Sequence, residues 1–245
     1  MRIIVFGPAG SGKTLLVKEF GEYLKDYPVS RINLDPGAEY LGYEPGFDIR
    51  EFFTVKQIMK NKNLGPNGAM LEAVKKMNNQ INGIMNKIEK INSDYVFVDT
   101  PGQNEIWLFQ PLDKKLLDYI KGCVGIFLMD MDVCRDEKNL LLNLLFSLII
   151  KLRFGIPVIN VFNKTDLVGH KGLEKIKNGF ENPRMLVAMM KEKSHGEIVD
   201  VLTGLGIVIG LRAERFIGMS CKNKTGFNEL QDILYEVHCA CGDLT

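Results

Sequence analysis

An apolar run, Ile3-Ile4-Val5-Phe6, meets a glycine loop, Gly7-Pro8-Ala9-Gly10-Ser11-Gly12-Lys13-Thr14, which opens at once into Leu15-Leu16-Val17. This is G-x-x-x-x-G-K-[ST] in the setting it requires: a buried strand, a tight loop, then the start of a helix. A bare match to the pattern is equally a glycine-rich turn. The strand before it and the helix behind it separate the two readings. Glycines let successive backbone N–H groups converge on an anion, and the helix amino end adds its positive dipole. Gly10, Ser11 and Gly12 are thus expected to cradle phosphates, Lys13 to reach the β- and γ-phosphates, and Thr14 to set its hydroxyl on Mg²⁺. The fold class that follows is α/β: a P-loop NTPase with a mostly parallel central sheet flanked by helices.

The rest of the chain is consistent with that class. Its 245 residues and 46% apolar content suffice to bury a large core in one α/β domain spanning 1–245. Net charge is +1, from 31 basic and 30 acidic residues, with no cluster of one sign. That balance points to neither a nucleic acid nor an anionic membrane as partner. The five cysteines (Cys123, Cys134, Cys221, Cys239 and Cys241) are odd in number and lack paired metal spacing, so reduced thiols are expected. The first strand begins almost at the amino terminus, and the apolar stretch 140–150 is too short to span a bilayer. A cytoplasmic protein is expected.

Short β-rich runs alternate with helical patterns, which predicts βα units. Strands are expected over 2–6, 29–33, 95–98, 124–129, 158–162 and 216–219. Helices are expected over 13–25, 68–91, 114–121, 137–154, 181–202 and 227–239, with a short one near 51–60. The span 204–213 fits a small hairpin. Two insertions interrupt the minimal pattern: a Gly- and Pro-rich one over 35–68, and a helical, charged one over 169–204. Irregular segments inside a compact domain are usually functional.

Three further elements follow strands, where ligands bind in open α/β sheets. Asn163-Lys164-Thr165-Asp166 reads N-K-x-D. Guanine offers two adjacent donors that one carboxylate accepts, and adenine offers neither, so Asp166 selects GTP. A buried polar group left unpaired costs about 1–3 kcal/mol. Asn163 is expected to hold the loop and the base, and the Lys164 stem to cover the ring. Ser220-Cys221-Lys222 is placed to complete the base pocket. Asp99-Thr100-Pro101-Gly102 puts Asp99 where it can hold Mg²⁺ through a water, and Gly102 where its N–H senses the γ-phosphate. Gln103 then orients the attacking water, while Glu105 either accepts its proton, fixes the glutamine, or is a solvated loop carboxylate.

Together with Asn33-Leu34-Asp35-Pro36, Tyr43-Glu44-Pro45 and Gly65-Pro66-Asn67-Gly68, these residues resemble the GPN-loop GTPases over nearly the whole chain, and the size is similar to archaeal members. The resemblance implies a homodimer that hydrolyses GTP to GDP and phosphate with Mg²⁺. It implies that Asn67 brings an amide to the partner's γ-phosphate, that Asp35 lies near Mg²⁺ and the water, and that Gln103 and Glu105 form the hydrolytic pair. It also implies a switch or assembly factor with a protein client, RNA polymerase in relatives. For Asp35 a second reading stands beside catalysis, because Asp-Pro-Gly is a standard turn and its carboxylate caps backbone. Arg31 and Arg50 read as surface pairs, with charge stabilisation at the site as the alternative. The apolar helix segment 140–150 reads as core, with a dimer seam or client pocket as the alternatives. Trp107-Leu108-Phe109 fits an anchor exposed or buried according to nucleotide.

Competing functions are a client-binding chaperone in which hydrolysis is secondary, a small-molecule kinase, and a metal-delivery GTPase. The kinase reading lacks an arginine-rich lid. The metal-delivery reading has only Cys239 and Cys241 as a foothold.

Overall fold

Apolar strands with no polar face can only be satisfied between two layers of helices, and that is how the chain folds. The computed structural model describes residues 1–182 and 216–242. Its strands β1 (Arg2–Phe6), β2 (Val29–Asn33), β3 (Phe47–Asp48), β4 (Tyr95–Asp99), β5 (Val124–Asp130), β6 (Val158–Asn163) and β7 (Ile217–Gly218) form one sheet. The order is β3-β2-β4-β1-β5-β6-β7, and every pairing is parallel. The α/β class is borne out.

One face is covered by α1 (Lys13–Tyr23) and the last described helix, Phe227–Gly242. Leu16, Val17 and Phe20 from the first and Phe227, Leu230 and Leu234 from the second bury against Ile3, Val5 and Phe97. The other face carries α2 (Val55–Lys62), α3 (Pro66–Asn79), α4 (Ile81–Ile88), α5 (Asn104–Phe109), α6 (Lys114–Lys121), α7 (Glu137–Phe154) and α8 (His170–Glu181); the Phe227–Gly242 helix becomes α9. No helix among the described residues is long and apolar enough to cross a membrane.

Several expectations change in detail. The helix expected over 68–91 is two helices, broken at Gln80, whose φ of −107° and ψ of 11° leave the helical region. Gly-Pro-Asn is not a free loop. Gly65 caps α3, and Pro66 and Asn67 form its first turn, where the missing proline N–H costs nothing. β3 and α5 were not foreseen. The helix expected over 181–202 and the hairpin at 204–213 lie outside the described residues, apart from residues 181 and 182. Helix α7 is buried along one side only: Leu140, Leu144 and Ile150 are in the core, while Leu142 and Leu152 stand 53% and 76% exposed.

The topology sets where a ligand can sit. From β1 the chain runs outward to β2 and β3, returns to β4, then crosses to β5 on the other side of β1. The carboxyl end of β1 is therefore the topological switch point, and the crevice there is where open α/β sheets bind.

Candidate functional site

The glycine loop Gly7–Thr14 lies at that switch point. Gly12 takes φ 101° as the cap of α1, and a Cβ on it would meet Asn163 Nδ2 at 2.4 Å. Only glycine accepts both conditions. Around the loop lies a cavity of about 580 Å³, in the usual range for small-molecule sites, lined by Gly10, Gly12, Lys13, Thr14, Asp35, Pro66, Met70, Gly102 and Gln103, among others. The amino ends of α1 and α3 both border it, giving a site for an anion between two helix dipoles.

Lys13 is folded back on its own loop, its Nζ donating to Gly7 O (2.9 Å) and Pro8 O (3.2 Å). Burial holds its ammonium below the usual lysine range, against the pull of Asp99 and Asp35. Both bonds are to backbone carbonyls, so the charge has no carboxylate partner and is available to phosphate.

Asp99 is fully buried at the end of β4. Burial pushes its carboxyl up to about 6, opposed by the Thr14 hydroxyl, Lys13 and Tyr43. Oδ2 accepts from the Tyr43 hydroxyl at 3.2 Å, while Oδ1 is buried with no hydrogen-bond partner among the described residues. A buried, unpartnered carboxylate oxygen beside a threonine hydroxyl is a mismatch that a hydrated divalent cation resolves. Thr14 and Asp99 therefore fit a Mg²⁺ ion.

Asp35 borders the same cavity. Its Oδ1 accepts from Gly37 N–H at 2.8 Å, so the turn-capping reading is correct for that oxygen. Burial raises its carboxyl above the usual range. The residue is locked by its neighbours: Asp35 N–H donates to Asn33 Oδ1 (3.0 Å), and Asn33 Nδ2 donates to Asp35 O (3.2 Å) and Asp48 Oδ1 (2.9 Å).

Gln103 projects over the cavity. Its Nε2 donates to Asn67 Oδ1 at 3.3 Å, and its Oε1 is buried without a partner. Asn67 thus stands beside the site of its own chain. Gly102 packs on the loop so closely that a Cβ would lie 3.0 Å from Ala9 Cα. Glu105 is exposed in the first turn of α5 and is not among the cavity's lining residues.

The base side is built around Asn163, which is 2% exposed. Its Nδ2 donates to Ser11 O at 2.8 Å, and its Oδ1 accepts from Cys221 N–H at 3.0 Å. The Cys221 amide is therefore spent on Asn163 in this structure. Ser220 Oγ donates to Asp166 Oδ1 (2.5 Å), orienting an otherwise exposed carboxylate. Lys164 Nζ rests on Asp130 Oδ2 (2.5 Å) at the end of β5. Cys123, Cys134 and Cys221 are buried, each thiol pushed up to about 12 mainly by burial.

Sequence reasoning missed the supports. Arg50 is not a loose surface pair: it holds Asp48 through Nε and NH2 (2.6 Å to Oδ2) and donates from NH1 to Ala38 O at 3.0 Å. The Asp48-Ile-Arg50 spacing that allows this local fork was legible. Arg31, also read as a surface pair, lies over the Tyr43 ring, its Cζ 5.9 Å from the centroid. Nothing in local spacing connects Tyr43 to Asp99. Of Trp107-Leu108-Phe109, Trp107 is buried and Phe109 is 68% exposed.

The chain matches, over residues 5–240, a family described as conserved hypothetical ATP binding protein. It is 36% identical to a GPN-loop GTPase of Pyrococcus abyssi (strain GE5 / Orsay), the alignment covering 100% of both chains. It is 31% identical to GPN-loop GTPase 1 of Dictyostelium discoideum, over 74% of this chain and 48% of that one. The crystal structure of a Pyrococcus abyssi GTPase in its apo form matches with a TM-score of 0.85 and 34% identity, covering 98% of each chain.

Proposed function

Because the chain belongs to the GPN-loop GTPase family, we propose that it is a GTP hydrolase that binds GTP with Mg²⁺ at the carboxyl end of β1 and cleaves it to GDP and phosphate. One observation carries the reading. Asn163 bridges Ser11 O and Cys221 N–H, so the phosphate cradle and the base-reading loop are held in one fixed frame. Asp166 then presents a carboxylate to the base edge. Guanine satisfies it with two donors and adenine leaves it unpaired, which favours GTP despite the ATP of the family's description.

In this frame Lys13 moves from the Gly7 and Pro8 carbonyls to the phosphates. The N–H groups of the glycine loop face the phosphate chain, and that of Gly102 faces the terminal phosphate. Thr14 and Asp99 hold the cation, which neutralises charge on the phosphate oxygens when bound. Gln103 Oε1, a buried acceptor with no partner among the described residues, accepts a hydrogen bond from the attacking water and so orients it. Asp35, bordering the same cavity, is placed to take part in orienting it. Phosphoryl transfer demands positioning more than covalent help, and these groups supply it.

The protein works, in this reading, as a cytoplasmic homodimer, a nucleotide-dependent switch or assembly factor for a protein client. Asn67 of one subunit serves the site of the other.

The test is phosphate release from GTP in Mg²⁺ by purified protein, with ATP in competition. GTP should be cleaved without an added activator and should resist displacement by ATP. Gln103→Ala should keep GTP binding and slow cleavage. Equal competition between the two purine nucleotides, or no turnover at any concentration, overturns the reading.

A further inference from the structure

Tyr43 has no role in the reaction as described, yet it touches the most buried charge of the site. It lies half-buried in the connection between β2 and β3, the same connection that carries Asp35. Its hydroxyl donates to Asp99 Oδ2 at 3.2 Å. The Arg31 guanidinium lies over its ring at 5.9 Å, and Arg31 Nε donates to Val17 O in α1 at 3.2 Å. The phenol is thus braced against the helix that follows the phosphate loop.

The two oxygens of Asp99 are unequal. Oδ2 takes the phenol, and Oδ1 is buried with no partner. A carboxylate pinned through one oxygen cannot turn about its Cβ–Cγ bond without losing that hydrogen bond, a costly loss for a group that is fully buried. Second groups of this kind, which orient a ligand without touching the ion, commonly tune metal affinity by one or two orders of magnitude.

We propose that Tyr43 is a positioning residue for the divalent cation of the nucleotide site, fixing Asp99 so that Oδ1 faces the cation or its water. The same bond makes the Asp35 connection responsive to the cation, because ligation that holds Asp99 also holds Tyr43 and the segment around it. The inference rests on the GTP and Mg²⁺ reading above.

The experiment is a Mg²⁺ titration of the full chain with a fluorescent GDP derivative, followed by binding rather than turnover. Tyr43→Phe keeps the ring under Arg31 and removes only the donor. The Mg²⁺ concentration at half-effect should rise about tenfold, while affinity in excess EDTA shifts less than about twofold. Tyr40→Phe, on the same connection but 85% exposed, should behave as wild type. In the unmodified protein, adding Mg²⁺ to the GDP complex should slow hydrogen exchange of amides 35–46. A Mg²⁺ dependence of Tyr43→Phe within about twofold of wild type overturns the proposal. So does an equal loss with and without metal, which marks a general disturbance, and so does Mg²⁺-independent exchange at 35–46. If wild-type protein itself ignores Mg²⁺ or guanine nucleotides, the underlying reading falls, and the proposal with it.

Discussion

Lys13 shows how the site is prepared at the scale of one residue. Its ammonium rests on two backbone carbonyls of its own loop, so moving it to phosphate breaks no ion pair. Lys13→Ala removes charge-assisted bonds to at least one phosphate, each worth about 1.5–3 kcal/mol. GTP affinity measured by calorimetry should fall at least about tenfold, with the fold intact by circular dichroism. Asp166 permits a sharper test. Ser220 Oγ already engages Oδ1, so in Asp166→Asn the same bond keeps the carbonyl oxygen inward and turns the amide nitrogen toward the base. That pairing suits a purine with oxygen at C2 in place of the amino group. The variant should lose about tenfold or more in GTP affinity and gain xanthosine triphosphate binding, read by competition. Both residues were legible in the sequence because each chemistry is a contiguous motif. Tyr43 was not, because its partner Asp99 lies on another strand and only the parallel register brings the two connections together.

At the scale of elements, the 34–54 segment is anchored in the core by Leu34, Phe47, Ile49 and Phe53, and local polar bonds fix the backbone between them. Thr54 and Gln57 form a reciprocal capping box that starts α2, and Val55 N–H donates to Pro36 O at 2.9 Å. The Asp48–Arg50 fork joins β3 to the backbone of Ala38. Burial works against the Asp48 charge, yet Arg50 and Asn33 together hold its carboxyl below the usual carboxylate range. A carboxyl lowered by folding contributes stability above its unfolded value and loses it as pH falls through the folded value. Asp48→Asn should therefore cost about 2 kcal/mol near pH 7, with the difference from wild type shrinking below about pH 4. Urea melts at both pH values check this. Asp48→Asn should also weaken GTP cleavage, since Asn33 ties the same carboxylate to Asp35. The capping box was there to be read in Thr54-Val55-Lys56-Gln57, and Pro66 marks the first turn of α3. The break at Gln80 was not legible: neither Gly nor Pro stands there, and the apolar period continues through Ile81, Ile84 and Ile88. β3 escaped because a two-residue strand has no period.

At the scale of the whole molecule, the sequence announces parallel βα units but not their order, since strand adjacency depends on contacts far apart in the chain. The order decides that the amino end of α3, set by the β3–β4 connection, borders the phosphate cavity. Asn67 consequently touches Gln103 of its own chain, whereas the proposed dimer has it serving the partner's site. Mixing two inactive variants separates these arrangements. At a GTP concentration that leaves Lys13→Ala empty, a Lys13→Ala subunit carries an intact Asn67 but no nucleotide, whereas an Asn67→Ala subunit holds GTP but lacks the amide. If the amide acts across the dimer, the Asn67→Ala site is completed by its Lys13→Ala partner. In a freely exchanging 1:1 mixture half the dimers are mixed, each with one complete site of two, so activity should return to about a quarter of wild type. If the amide acts within its own chain, no pairing of the two subunits builds a complete site, and the mixture stays as inactive as its parts. The Gln103–Asn67 contact would then be the working arrangement rather than the resting one, and the dimer would be needed for something other than this chemistry.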